Sequence, residues 1–324
     1  MIGRNEARHL PACLESLRQL VSLGIETETI FVDSASKDGS TEIARGGFDK
    51  VIRLEESPFL NAGVARNVGT HHATGRWVLY LDGDMELAPE ILEAIKTLVR
   101  SGPRNHGLCG LTENVYPDGG RDLIRFRGNR HGEACRMFGG TVLLPRRHVL
   151  DCGNWPTALF AYEESELYSR LIRTDCRVVW HECRMVLHKA PRVSIARKLW
   201  GSMLPYRSFL GKKYYGAGQV TLLTLRRGHF RDFARLKPDG YVMIASILIA
   251  ALLAPWLSWS AIVVPSLAFL RNTFVLGPRG AVNSLCWIPQ VMLGMRKLKE
   301  GFQPRIESYY SRAGQEPLSG SGSP

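Results

Sequence analysis

At 324 residues with 45% apolar composition, the chain is long enough for one large or two ordinary domains around a sizeable core. Its 42 basic against 30 acidic residues give a net charge of +12, which admits nucleic acid, an anionic membrane surface or a phosphorylated substrate as partner. Seven scattered cysteines (13, 109, 135, 152, 176, 183 and 286) contain no CxxC pair, which argues against a zinc site and for a reduced, cytosolic compartment.

The opening MIGRNEARHL is polar and charged from Arg4 onward and lacks the pattern of a secretory signal. From Glu6 to about Leu20, the apolar positions Leu10, Leu14, Leu17 and Val21 recur at helical spacing and predict an amphipathic helix. Thr29 to Val32 is a short β-branched and aromatic run, a strand ending at Asp33. SASKDGST holds a turn in which Ser40 or Thr41 can cap a helix beginning at Glu42. A strand follows over Val51 to Leu54, a short helix over Asn61 to Ala73, and a strand over Trp77 to Leu81. Strands alternating with helices predict an α/β fold, a doubly wound and mostly parallel sheet. Such a sheet should begin with an apolar strand, yet only Met1 and Ile2 precede Gly3. The reading is that this strand is missing here and that the protein starts upstream of Met1.

The strand over Trp77 to Leu81 delivers Asp82 and Asp84, separated by Gly83. Side chains leaving the end of a parallel strand project into the crevice where α/β proteins bind ligands. Two aspartates there, with a glycine that lets backbone approach a ligand, suit a hard divalent cation and the phosphates it carries. Read locally, the same residues are an acidic turn. Further on, Gly139-Gly140 precedes a strand over Thr141 to Leu144, and Glu163 to Arg173 is a helix with Glu166 opposite Arg170 at i,i+4. Val178 to Trp180 is a last short strand, and His188 follows an apolar pair.

Between Arg192 and Lys237 stand eleven Lys or Arg against one acid, Asp232, and then Tyr241 to Leu270 carries no charge at all. A basic block abutting an apolar run reads as membrane-facing and not nucleic-acid-binding. As one helix the run would span about 45 Å, more than the ~30 Å hydrocarbon core requires. Pro255 and Pro265 break it, predicting a membrane hairpin whose basic flanks stay cytoplasmic. The tail from Ser311 is Gly/Ser/Pro-rich and reads as disordered.

Six segments in order, GRNE at 3–6, VDSASKDGST at 32–41, NAGVARNVG at 61–69, LDGD at 81–84, FGGTVLLPRR at 138–147 and YEESELYSRL at 162–171, resemble the family 2 glycosyltransferases of the GT-A fold. The likeness runs from Gly3 to about Pro191. It implies a nucleotide-sugar pocket made by Arg4, Asn5, Glu6, Asp33, Arg66, Asp82, Gly139 and Gly140. It further implies a Mg²⁺ or Mn²⁺ site at Asp84, Asp82 and His188, and a general base at Glu164 with Glu163 as competitor. Locally, Asn5 and Glu6 also read as a helix start and Asp33 as an Asx-turn. The domain plan is a catalytic domain over 1–191 (nucleotide half about 1–104, acceptor half about 105–191), a basic helical segment over 192–240, a membrane hairpin over 241–276, an interfacial segment over 277–310 and the tail over 311–324. The expected activity is inverting transfer from a UDP-sugar to a lipid-linked or envelope glycan acceptor, at the cytoplasmic face of the cell membrane. Alternatives are a polyprenyl-phosphate acceptor, or an inactive membrane-anchored module that binds nucleotide-sugar. A dehydrogenase is disfavoured because no GxGxxG follows a strand.

Overall fold

A computed structural model describes residues 1–126, 128–191, 215–253, 262–275, 291 and 294–312. Residues 192–214 of the predicted basic segment, the turn of the predicted hairpin, residues 277–290, 292 and 293 of the predicted interfacial segment and nearly all of the tail lie outside the described residues. The chain divides into two units. One holds Met1–Ala158, Glu163–Arg192 and Gly301–Pro324; the other holds Leu159–Tyr162 and Val193–Glu300.

The first unit opens with β1 (Ile2–Gly3), α1 (Leu10–Ser22), β2 (Ile30–Asp33), α2 (Ser40–Gly47), β3 (Lys50–Leu54), α3 (Ala62–His72) and β4 (Trp77–Tyr80). β2 runs parallel to both β1 and β3. Its side chains alternate between two covered faces, as its unbroken apolar sequence requires. Ile30 and Val32 pack with Ile52, Leu54, Val64 and Val68 beneath α3. Phe31 packs with Leu10, Ala44, Phe48 and Val51 beneath α1 and α2.

Three details differ from the sequence reading. α1 begins at Leu10, not Glu6, because Glu6 turns the chain by accepting the amides of His9 and Leu10 at 2.9 and 3.0 Å, and Pro11 suits a first helical turn. Its buried stripe is Leu10, Cys13, Leu17 and Leu20, leaving Val21 58% exposed. α2 begins at Ser40 after a left-handed Gly39 (φ 88°). The Ser40 and Thr41 hydroxyls do not cap it: Ser40 Oγ accepts the Glu6 amide at 2.8 Å and Thr41 Oγ1 donates to Asp33 at 2.5 Å. The first strand is present as Ile2–Gly3. The Ile2 amide donates to Leu81 O at 3.1 Å and the Gly83 amide to Ile2 O at 2.8 Å, which ties the end of β4 to the first sheet.

The second sheet is built from β4, β5 (Met85–Leu87), β6 (His106–Val115), β7 (Arg121–Ile124), β8 (Val142–Pro145) and β9 (Arg177–Lys189), in the order β4-β8-β6-β9-β5 with β7 on β6. Helices α4 (Leu92–Ser101), α5 (Arg146–Asp151) and α6 (Glu163–Leu171) flank it. Only β6 and β9 pair in parallel, while β4–β8, β5–β9, β6–β7 and β6–β8 are antiparallel. The sheet is therefore mixed, not mostly parallel, because β5 and β8 return against their neighbours. The short strand expected over Val178 to Trp180 extends to Lys189; its polar residues hide the pairing along β6.

The first unit is completed by β10 (Ile306–Ser311), antiparallel to β3 with Tyr309 opposite Ile52. Residues placed by sequence in an interfacial segment and a tail thus form a sheet edge. In the second unit, Leu159, Ala217, Val220, Leu223 and Phe233 form a core among helices Gly216–Arg226, Phe230–Leu236 and Pro238–Leu253. Among the described residues, no single helix is long and apolar enough to cross a membrane. Phe230–Leu236 and Pro238–Leu253 satisfy that test only as a pair bent by 104°. The arms of the predicted hairpin fall on Pro238–Leu253 and the shorter apolar helix Ile262–Val275.

The tightest crossing of the second sheet is Gly107, where a Cβ would stand 2.4 Å from Leu143 O. Backbone cannot move aside there as a side-chain tip could. Gly107→Ala is expected to destabilise the protein by about 1–3 kcal/mol, the usual cost of overpacking, read as a lower midpoint in urea or thermal unfolding.

Candidate functional site

The first unit gathers charge at the end of β4. Arg66, on α3, is 2% exposed, and its guanidinium donates to Asp82 at 2.9 Å and Glu163 at 3.2 Å and lies 3.7 Å from Glu164. Its plane sits 4.8 Å from the Trp155 ring. Burial opposes this charge, but Asp82, Glu164 and Glu163 outweigh it and raise the guanidinium pKa. The acids of α6 sit in its first turn. Immediately before them Tyr162 holds a left-handed backbone (φ 67°), costly for an aromatic residue and typical of functional turns.

Gly140 has a definite role here. A Cβ at this position would lie 2.5 Å from Arg66 Nη2 and 3.3 Å from Asp82 Oδ2, so the glycine makes room for the ion pair. A Cβ at Gly139 would meet the Phe126 ring at 3.2 Å. Gly83, between the two aspartates, faces Glu6: a Cβ there would meet Glu6 Cγ at 2.9 Å.

Asp84 and His188 form the second half of the cluster. His188 Nε2 is 3.2 Å from Asp84 Oδ2, and Nδ1 is 2.8 Å from Asn114 Oδ1. The register of the second sheet builds this contact, pairing His188 with Met85 on β5 and with Asn114 on β6. Burial lowers the imidazole pKa, but the hydrogen bond and charge of Asp84, with Asp82 and Glu6 behind, raise it overall. For Glu6, burial and the charges of Asp84, Asp38 and Asp82 all act in one direction and push it up to about 7. Three carboxylates therefore crowd one half-exposed opening, an arrangement that favours a cation.

Among the described residues, no group of three or more His, Cys, Asp or Glu is arranged to hold a metal ion. Asp82 and Asp84, 30% and 25% exposed, nonetheless fit a hard ion held by one or two carboxylates with phosphate and water completing the shell.

The other residues of the expected nucleotide pocket are held by the protein in different ways. Arg4 is 44% exposed and pairs with Glu56 at 3.2 Å. Asn5 is a brace in left-handed conformation (φ 61°), its amide bonded to Ser36 Oγ and its Oδ1 accepting the Lys37 amide, both at 2.8 Å. Asp33 is fully buried, receiving Ser36, Thr41 and the Arg53 guanidinium, as an Asx-turn would. Arg66 is enclosed by carboxylates and Trp155. Asn114 and Trp155 were missed. Neither carries a local sequence signal; the first is found only through strand register and the second only through the path of the chain after α5.

Residues 1–121 match the family described as Glycosyl transferase family 2. "Glycosyltransferase AglE" of Haloferax volcanii is 31% identical over 126 residues, 38% of this chain and 41% of that protein. An "Uncharacterized glycosyltransferase" of Haemophilus influenzae is 35% identical over 183 residues, 52% of this chain and 59% of that protein. The chain thus spans about half the length of these curated relatives. The fold is that of mannosyltransferase PcManGT from Pyrobaculum calidifontis, solved with GDP-Man and Mn²⁺ (TM-score 0.53, 16% identity, 90% of this chain and 85% of that one). It is also that of S. aureus TarS 1-349 (TM-score 0.50, 15% identity, 85% and 90%).

Two outcomes are expected of this cluster. Arg66→Met leaves three carboxylates without their buried counter-ion and should cost about 3–5 kcal/mol, seen as a lowered unfolding midpoint. The second concerns pH in metal-free protein. Glu6 ionises at about 7 when folded against 4.5 for an ordinary glutamate, so its protonated form stabilises the fold below about 4.5, and that stability is lost as pH rises to about 7. Glu6→Gln should flatten the melting temperature across that window; an unchanged slope would show that Glu6 ionises normally.

Proposed function

We propose that this chain, a member of glycosyl transferase family 2 through residues 1–121, transfers a sugar from a nucleoside diphosphate donor to an acceptor hydroxyl with inversion. The observation that carries the reading is two groups of carboxylates bridged by Arg66, which bonds Asp82 on one side and Glu163 on the other, with Glu164 at 3.7 Å; Asp84 follows Asp82 after β4 and pairs with His188.

Direct displacement at the sugar C1 forms a bond to the acceptor oxygen while the C1–O bond to the diphosphate breaks. The acceptor proton must pass to a base on the opposite side from the leaving group. Glu164 suits this role better than Glu163, being 24% exposed against 10% and further from Arg66, 3.7 against 3.2 Å. Glu163 and Arg66 hold the turn that presents it. On the leaving side, Asp84 and Asp82 would hold Mg²⁺ or Mn²⁺, with His188 beside them. Such an ion neutralises charge on a departing diphosphate. Asn114 fixes the His188 ring by its other nitrogen, leaving Nε2 aimed at Asp84. The Arg4 and Glu56 region, with Lys37, is the exposed rim available to the nucleotide. A UDP-sugar is the first donor to test, with lipid-linked or envelope glycans as acceptors at a membrane.

The test uses donor turnover with a series of divalent metals. Glu164→Gln should retain donor binding and lose about 10²–10⁴-fold in transfer, the contribution of a positioned base. Asp84→Ala should lose metal-dependent turnover without unfolding. Wild-type rates in Glu164→Gln together with loss in Glu163→Gln would move the base by one residue; wild-type rates in Asp84→Ala would remove the metal role.

A further inference from the structure

The second unit turns hydrophobic side chains outward. Helix Pro238–Leu253 buries Gly240, Met243, Ser246 and Ala250 on one face. The opposite face carries Leu248 (60% exposed), Ile249, Leu252 (74%) and Leu253. In helix Ile262–Val275, Ala268 and Asn272 are buried, while Ile262, Val263, Leu267 (61%), Leu270 and Phe274 (93%) face out. These spacings of three and four residues make a continuous stripe on each helix. An ordinary surface helix puts charge on that side, and an exposed apolar stripe marks an interaction surface.

The two helices are joined at one end. Arg271 Nη1 donates to Asp239 Oδ1 at 2.7 Å, and Asn272 Nδ2 to Asp239 O at 3.2 Å. The start of the first helix thus meets the end of the second. The pair has a polar base, and Leu252, Leu253, Ile262 and Val263 stand at its far end. From Pro238 to Leu253 the first helix runs about 24 Å, and the Asp239–Arg271 contact brings the second helix back to the level where the first begins, so the pair enters and leaves a bilayer on one side.

Charge selects the occupant. The chain leading into the first helix carries Arg226, Arg227, Arg231, Arg235 and Lys237; Arg226 pairs with Glu300 at 2.7 Å and Arg235 lies 3.7 Å from Asp232, while Arg231 and Arg235 stand one helical turn apart and both are exposed. A second copy would bring the same positive charge against itself; an anionic lipid surface complements it. We propose that this helix pair is a monotopic wedge: its two stripes enter one leaflet of an anionic membrane, and the Asp239–Arg271 base stays at headgroup level. This goes beyond the transfer reading and does not rest on it.

Flotation of the full chain with phosphatidylcholine vesicles, with and without phosphatidylglycerol, tests the wedge. The wild type should float with phosphatidylglycerol vesicles and bind them more tightly than neutral ones. Leu248→Glu/Leu252→Glu/Leu267→Glu changes only exposed positions and should abolish flotation, while circular dichroism and the thermal shift with UDP and Mn²⁺ stay as in wild type. Arg231→Gln/Arg235→Gln should weaken binding about fivefold per residue removed. Flotation of the triple variant at wild-type level overturns the proposal, as does a wild type that never floats. A wild-type dimer by light scattering that the triple variant turns into monomer, without flotation of either, assigns the stripes to a second copy and also overturns it. Loss of the UDP shift with flotation intact counts against the transfer reading alone.

Discussion

One buried cation organises the first unit. Arg66 reaches from α3 to Asp82 after β4 and to Glu163 and Glu164 at the start of α6. A guanidinium removed from water is stable only when its charge is matched on several sides, and its planar fork suits several carboxylates at once. Trp155 closes one face and Gly140 leaves space at the other. The arrangement couples parts of the chain that are nearly a hundred residues apart in sequence and holds the end of β4 to the start of α6. Preorganisation of that kind lowers the cost of assembling reacting groups.

The half of the fold before Leu81 could be read from sequence because its signals are local. Apolar strands, helical spacing and turn residues each report on a few neighbouring positions, and β2, β3, α3 and β4 fall within a residue or two of where they were expected. β6 and β9 are different. They pair over many residues at long sequence separation, and β9 alternates buried positions with His181, Glu182 and Arg184, so neither reads as an apolar run. The expectation of a mostly parallel sheet failed for the same reason, since strand direction depends on partners that no local pattern names.

Residue roles divided along the same line. The DGD and the EE of α6 are short patterns whose chemistry is carried by their own side chains. Asp33, at the end of β2, was read both as a nucleotide contact through the family likeness and as an Asx-turn, and its bonds to Ser36 and Thr41, with Arg53 beside it, are those of the turn. A buried carboxylate surrounded by hydroxyl and amide donors satisfies itself, and the sequence SASKDGST supplies those donors within eight residues. The protein partners of Arg66 were not legible in its own segment, because Trp155 and the α6 acids arrive from distant parts of the chain.

The pairing of β10 with β3 bears on how the molecule is assembled. Tyr309 lies opposite Ile52, so more than 250 residues intervene between the two partners, and the whole second unit is contained in that interval. During synthesis β3 must therefore wait as an open edge while the second sheet and the helices of the second unit emerge. Loop closure over such a length costs only slightly more entropy than over a short one, so the delay is kinetic. An unpaired β3, with its row of free backbone groups, is the place where a nascent chain is most open to pairing with another copy. Arg53 and Lys50, charged residues within that strand, are the features that blunt it until β10 arrives.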